Sequence, residues 1–342
     1  MITIKDIARK ADVSIGTVDR VLHGRGRVSK KTADAIKAIV KKTGYKTNIH
    51  ARNLSLKTTY PFGVIMPQTQ QDSGYWDILR KGIDQAVSDL SSFAVRAHYF
   101  FFDKYSEASF SEAGEKALGQ GMRGLLITPV LSDACPAFVN LIPRDIPYVY
   151  VDSTVPGTSP VAYIGQNSFQ SGVCGAKLMH LLLPNNTCVA IIRMLPNDFH
   201  INERVRGFLS YFDNIPGSIV RSFDANGGDD DAAFADLIES IEKNFPECKG
   251  FFVTNAETHR VAKALRRSTG EKKRIIGYDL IEENKRLVRD RVIDFIISQK
   301  TREQGYQGIT TLFRRLVLKE PCTSEVLMPI DIITEENLSY YQ

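Results

Sequence analysis

The chain has 342 residues, 43% of them hydrophobic and 24% charged, which suits about two or three globular domains and excludes a disordered or fibrous chain. Its formal net charge of +5 is uneven: residues 1–60 hold fourteen Lys/Arg and four Asp, or +10, so the rest hold 30 basic and 35 acidic groups, or −5. A basic head on a mildly acidic body points to nucleic acid for the head alone, since affinity for a phosphate backbone comes from charge neutralisation.

Ile4, Ile7, Ala8 and Ala11 fall at i, i+3, i+4 and i+7, the apolar face of a short helix with Thr3 at its N-cap. After a tight turn at Asp12-Val13, Ser14 caps a second helix striped by Val18, Val21 and Leu22. Two short helices so joined read as a helix-turn-helix, whose second helix enters the DNA major groove. Gly24-x-Gly26 follows a helix and lacks a third glycine, so it is no nucleotide fingerprint. Arg25 and Arg27 in that loop suit phosphate instead. Ser29 caps a third helix, with Ala33, Ile36, Ile39 and Val40 facing inward and Gly44 ending it. Residues 45–60 are too polar and short to make a core alone, and are expected to order on binding.

From Phe62 the pattern alternates strand and helix. Strands are predicted at 62–66, 95–102, 124–128, 148–151, 161–164, 188–194, 219–223, 250–254, 274–277, 292–298 and 326–328. Helices are predicted between them at 76–90, 107–121, 134–141, 169–183, 203–212, 232–244, 259–267, 282–289 and 302–318. Such alternation implies parallel sheets covered on both faces, with ligands at the carboxyl ends of strands. About 280 residues of it exceed one comfortable core, so two similar lobes with a cleft between them are expected. The fold class is therefore a small all-α head followed by a two-lobed α/β body.

Cys135, Cys174, Cys188, Cys248 and Cys322 show no CxxC pair and no metal-like spacing. They are expected as buried thiols in a reducing compartment. No signal peptide precedes Thr3 and no apolar run approaches the ~20 residues of a membrane helix, so a soluble cytoplasmic chain is expected. The acidic stretch 224–231 fails the EF-hand pattern at Gly228 and Asp229, and a turn followed by helix-capping acids explains it. No HExxH, GxSxG or Walker loop is present, so no catalytic set is found.

The head carries Thr3-Ile-Lys-Asp-Ile-Ala8, Val13-Ser14, Thr17-Val-Asp-Arg-Val-Leu22, Val28-Ser29, Gly44-Tyr45 and Ala51-Arg-Asn-Leu54. The body carries Gly165-Gln-Asn-Ser, Arg204-x-x-Gly207-Phe208, Gly277-Tyr-Asp279 and Gln299. Together these resemble the lactose-repressor (LacI/GalR) family of transcription regulators, with a sensor body similar to ribose-type periplasmic binding proteins. The resemblance implies a helix-turn-helix domain at 1–46, a hinge at 47–60 and a ligand-binding domain at 61–342. The lobes of that domain are expected to be 61–161 plus 291–320, and 162–290 plus 321–342. It further implies a homodimer that binds pseudo-palindromic operator DNA as a repressor under control of a sugar or sugar derivative, without catalysis, other cofactor or membrane.

On this resemblance Ile15, Gly16 and Arg20 face bases, with Thr3, Ser14, Thr17, Arg25, Asn48 and Arg52 as further DNA contacts. Arg20 can grip guanine in bidentate fashion, whereas Ile15 can only touch a thymine methyl and Gly16 has nothing to read with. Leu54 takes the place of a hinge leucine that wedges into the minor groove and bends the duplex. Two departures stand out: Asp19 where the family commonly has serine, and Thr47 where it tends to carry proline. Ligand candidates sit at strand ends: Asp103, Asp152, Asn255, Asp279 and Gln299, together with Arg204 at a helix start. Carboxylates, amides and a guanidinium suit a ligand rich in hydroxyls, and Trp76 could stack on an apolar sugar face. Two alternatives keep the lobes but drop the DNA role: a solute-binding protein, and an enzyme working in the cleft.

Overall fold

The computed structural model describes residues 2, 4–22, 26, 28–43, 59–183, 188–195, 198–213, 215–226, 231–266 and 271–341. The chain divides into two compact units, Met1–Thr58 and Thr59–Gln342.

The first unit holds three helices: α1 (Ile4–Ala11), α2 (Ile15–Leu22) and α3 (Lys30–Thr43). Each contributes one fully buried side chain, Ile7, Val18 and Ile36, to a small shared core. Asp12 turns the chain between α1 and α2 with a left-handed φ of 52°, and Val13 N donates to Ala8 O at 3.0 Å. Ser14 Oγ accepts from Thr17 N at 3.1 Å and Ser29 Oγ from Thr32 N at 3.2 Å, so both serines cap as expected. Each such cap stabilises its helix by about 1 kcal/mol. The cap expected of Thr3 and the helix end expected at Gly44 lie outside the described residues.

The second unit is built on two six-stranded sheets with helices on their faces. The first sheet runs, from edge to edge, β11 (Glu325–Met328), β5 (Ala162–Gln166), β4 (Tyr148–Asp152), β3 (Gly124–Ile127), β1 (Tyr60–Pro67) and β2 (Val95–Phe102). The second runs β12 (Asp331–Ile333), β10 (Phe295–Ser298), β9 (Arg274–Tyr278), β8 (Cys248–Val253), β6 (Cys188–Leu195) and β7 (Ile219–Asn226). The sheets thus repeat one strand order, and all their pairs are parallel except β10 with β12. Strands β3 and β4 are buried along their whole length, which is why their sequences read as apolar runs rather than alternations.

The first lobe carries α4 (Tyr75–Asp89), α5 (Glu107–Gly119), α6 (Cys135–Val139) and α12 (Thr301–Phe313). The second carries α7 (Ser168–Leu182), α8 (Phe199–Phe212), α9 (Asp231–Asn244), α10 (Thr258–Arg266) and α11 (Glu282–Arg289). Glycines let one helix pair in each lobe touch backbone to backbone. A Cβ on Gly82 of α4 would lie 1.8 Å from Arg302 O, and one on Gly172 of α7 would lie 2.1 Å from Arg204 O.

Three findings correct the sequence reading. Strand β5 joins the first sheet rather than the second lobe, β10 joins the second sheet rather than the first, and β11 returns to the first. Periodicity marks a strand but not its sheet, which is set here by three crossings gathered at one place. Gln166 Nε2 donates to Ser298 O at 3.2 Å and to Pro329 O at 2.8 Å, tying the three together. Second, Cys188 and Cys248 face each other across paired positions of β6 and β8, with Cα atoms 4.3 Å apart, a juxtaposition the sequence reading did not anticipate. A separation of 60 residues hid that pairing. Third, the helix predicted to Leu318 ends its α-helical geometry at Phe313 and continues as a π-turn, Arg314–Leu318. Among the described residues no helix is long and apolar enough to cross a membrane.

Candidate functional site

A small cavity lies between the two lobes at the carboxyl ends of their strands. Its lining comes from Asp72, Tyr75, Trp76, Lys104, Val130 and Asp152 of the first lobe. The second lobe contributes Met194, Asp198, His200, Ile201, Arg204, Asn255, Ala256 and Asp279, and Gln299 enters from the crossing after β10. About 30 Å³ of free space remains among these side chains, because they largely bond to one another.

Among the described residues Arg204 is the largest fully buried side chain. It projects from α8, whose first turn is capped by Asp198 accepting from Ile201 N at 3.0 Å. Its guanidinium lies 3.9 Å over the Tyr278 ring. Nη1 donates to Thr254 O at 2.7 Å and Nη2 to Gln299 Oε1 at 2.8 Å. Gln299 Nε2 in turn donates to Asp279 Oδ1 at 3.0 Å, so the amide relays between guanidinium and carboxylate. Burial pushes the Asp279 carboxyl up to about 7 against the opposing pull of Arg204 and Gln299.

The first lobe answers with its own polar set. Tyr75 donates its hydroxyl to Asp152, whose carboxyl burial also raises, with the Asp198 charge adding to the rise. Burial, then the Asp152 and Asp279 charges, hold the Tyr75 hydroxyl well above its ordinary pKa. Trp76 Nε1 donates to Asp72 Oδ2 at 2.8 Å, and Lys104 Nζ reaches both Asp72 oxygens at 2.6 and 2.7 Å. His200 Nδ1 stands 2.8 Å from Asp198 Oδ1 and 3.9 Å from Asp152 Oδ2, facing the opposite lobe. At the rim Ser73 donates across the cleft to Glu257 Oε1 at 3.0 Å. Burial and then the Asp72 charge lift that glutamate to about 7.

Of the seven ligand candidates, Trp76, Asp152, Arg204, Asn255, Asp279 and Gln299 come together here. Asp103 does not. Its carboxylate accepts from Tyr105 N at 3.0 Å and Gln71 Nε2 at 2.7 Å, a turn-closing role, and the next residue, Lys104, lines the cavity instead. Asp72, Tyr75, Lys104, Asp198 and His200 escaped sequence reading. Asp198 alone left a signal there, an acid at an N-cap position before α8.

A larger concavity of about 830 Å³ lies at the amino-terminal edge of the first sheet, beside Arg144, Tyr148, Thr158, Arg315 and Lys319. Its charged groups are exposed, whereas the interlobe cavity gathers buried polar groups from both lobes, and convergence of that kind marks a binding site better than size.

In the head, Ser14, Ile15, Gly16 and Arg20 are exposed at the start and outer face of α2, and Thr17 is half-buried. Ser14 and Thr17 hydroxyls lie 2.9 Å apart, so both serve the cap. Thr3, Arg25, Asn48, Arg52 and Leu54 lie outside the described residues, as does Thr47.

Residues 62–320 match the periplasmic binding protein domain family, and residues 3–48 match the bacterial regulatory proteins of the lacI family. The chain is 40% identical over 79 residues to the HTH-type transcriptional regulator AscG of Escherichia coli, a match covering 23% of this chain and 24% of that one. The matches thus span about a quarter of the length of the first such relatives. Among solved structures, a candidate LacI transcriptional regulator from Bacteroides fragilis superimposes with a TM-score of 0.79 at 26% identity, covering 83% of this chain and 100% of that one. The sugar-binding protein of a sugar ABC transporter from Bacillus halodurans superimposes with a TM-score of 0.69 at 26% identity, covering 82% and 100%.

Proposed function

Because the chain belongs to the periplasmic binding protein domain family over residues 62–320 and carries a lacI-family head at residues 3–48, we propose that it is a transcription repressor whose operator binding is governed by a sugar held between its lobes. The observation that carries this reading is the position of Gln299. It bonds to Arg204 and Asp279 in the cavity, and it directly follows Ser298, one of the three crossings that Gln166 ties together. A ligand that engages Arg204 or Asp279 therefore acts on the segment joining the lobes, and a change there alters their relative angle. DNA and ligand are then coupled reciprocally through the body.

The sugar class follows from the donors and acceptors: carboxylates, an amide and a guanidinium edge suit hydroxyls that both give and take hydrogen bonds. The likeness to a sugar-binding protein supports it. The edge strand β2 presents Tyr99 and Phe101 stacked 5.4 Å apart with Phe101 43% exposed, an apolar patch suited to a second copy. A homodimer matches a pseudo-palindromic operator, each head taking one half-site. The protein so read works in the cytoplasm, uses no cofactor beyond its effector and catalyses nothing.

The test is a gel-shift titration of the full chain on the promoter regions beside its gene. A specific site is expected, with affinity falling steeply as salt rises. Removing residues 1–60 should abolish DNA binding and leave ligand binding intact. Binding without any preferred site, or without salt dependence, would overturn the proposal.

A further inference from the structure

The charges around the interlobe cavity bear on the charge of the effector itself, an inference that rests on reading that cavity as the effector site. Four carboxylates line it: Asp72, Asp152, Asp198 and Asp279. The cations among its lining residues, Lys104 and Arg204, are already engaged. Lys104 Nζ is held by both oxygens of Asp72, and the two terminal nitrogens of Arg204 are bonded to Thr254 O and Gln299. His200 is turned to Asp198. What the guanidinium retains is its Nε, buried and without a hydrogen-bond partner in the structure, and one further N–H on each terminal nitrogen.

Those remaining N–H groups can serve hydroxyls or a ring oxygen, but they belong to one cation that Gln299 already links to the Asp279 carboxylate. A phosphate or carboxylate needs several converging donors and a net positive surround, usually a planar arginine fork. Here an incoming anion would face Asp152, Asp198 and Asp279 in a buried, weakly screened space where like charges repel strongly. Burial is the first cause of the upward shifts of Asp152 and Asp279, and the Asp198 and Asp152 charges respectively add to them.

We propose that the effector is an uncharged polyhydroxylated molecule, and that the surplus of carboxylates, four against the two cations Lys104 and Arg204, makes the cavity reject phosphorylated and carboxylated relatives of it. Asp152 acts as a specificity-determining residue in this scheme. It has no partner cation of its own, only the Tyr75 hydroxyl and the more distant His200 ring.

Isothermal titration of the full chain with a panel of free hexoses, pentoses and sugar alcohols, alongside their monophosphates and the corresponding sugar acids, tests it. At least one neutral compound is expected to bind, with its charged counterparts at least tenfold weaker. Asp152→Asn should narrow that gap for the sugar acid, and Asn255→Ala, at the rim of the same cavity, should weaken the neutral compound without narrowing it. A phosphate or acid that binds as tightly as the neutral parent, at a site weakened by Asn255→Ala, overturns the charge rule while leaving the sensor reading intact. Binding by no member of either set removes the sensor reading, and the charge rule with it.

Discussion

Asp152 and Asp279 occupy matching places in two different sheets: Asp152 ends β4 and Asp279 directly follows β9, each the third strand from the crossover edge, and each takes a left-handed backbone, with φ of 75° and 70°. Non-glycine residues held so cost about 1–3 kcal/mol each, and such strain persists where function fixes the side chain. Asp279→Gly and Asp279→Ala therefore separate backbone from side chain. Both lose the bond from Gln299, but only glycine relieves the strain. Urea unfolding should show the glycine variant more stable than the alanine variant by about 1 kcal/mol. Equal stabilities would mean that the left-handed turn carries no strain.

Asp279 and Glu257 are both lifted to about 7, so their folded-state pKa values exceed the unfolded ones. The native state then keeps protons that the unfolded chain has released, and these acids contribute stability that is full below about pH 4 and lost as pH rises to about 7. His259 works in the opposite sense, because burial lowers it to about 4 and stability is lost as pH falls below about 6.5. Glu257→Gln and Asp279→Asn isolate the acids. Each variant should gain stability relative to the parent between about pH 5 and 8, measured as thermal midpoints across a pH series. A gain independent of pH would show that the carboxyls do not titrate in that window.

Helix contact makes a sharper demand on glycine than turn geometry does. Gly82→Ala would place its methyl 1.8 Å from Arg302 O, so α4 and α12 must move apart. The expected cost is about 1–3 kcal/mol, or more. Gly119→Ala, at the end of α5 with no heavy atom within 4 Å of the added Cβ, should be neutral or stabilising by up to about 1 kcal/mol. Thermal unfolding of the two variants side by side checks the contrast.

Apolar periodicity located Ile7, Val18 and Ile36 as the core of the head, and strand–helix alternation located the two-sheet body. Periodicity is local, so it could not assign β5, β10 and β11 to sheets, nor bring Cys188 to Cys248 across 60 residues. Strand-end position was a fair guide to Asp152 and Asp279 but misled at Asp103, where the carboxylate serves its own turn. Asp72 and Lys104 left no trace at all. A buried ion pair between loops has no spacing rule, and Asp72 sits beside Ser73 and Gly74 in three successive left-handed residues, of which only the glycine announces such a turn.

On the proposed function, Arg20 is the side chain of α2 best suited to read a base edge. It is exposed on the outer face of α2, while Ile15 and Gly16 at the start of that helix offer no strong donor or acceptor to a base edge. If Arg20 grips guanine, Arg20→Ala should weaken operator binding by about 1–3 kcal/mol, relax preference at one base pair and leave the salt dependence nearly unchanged. A phosphate contact would instead weaken all sequences alike and lower the salt slope by about 1. Val18→Ala serves as the contrast, because Val18 is fully buried in the head's core and its loss should act on stability and not on base preference. Fluorescence anisotropy on the operator and on single-base variants, repeated at several salt concentrations, distinguishes the two.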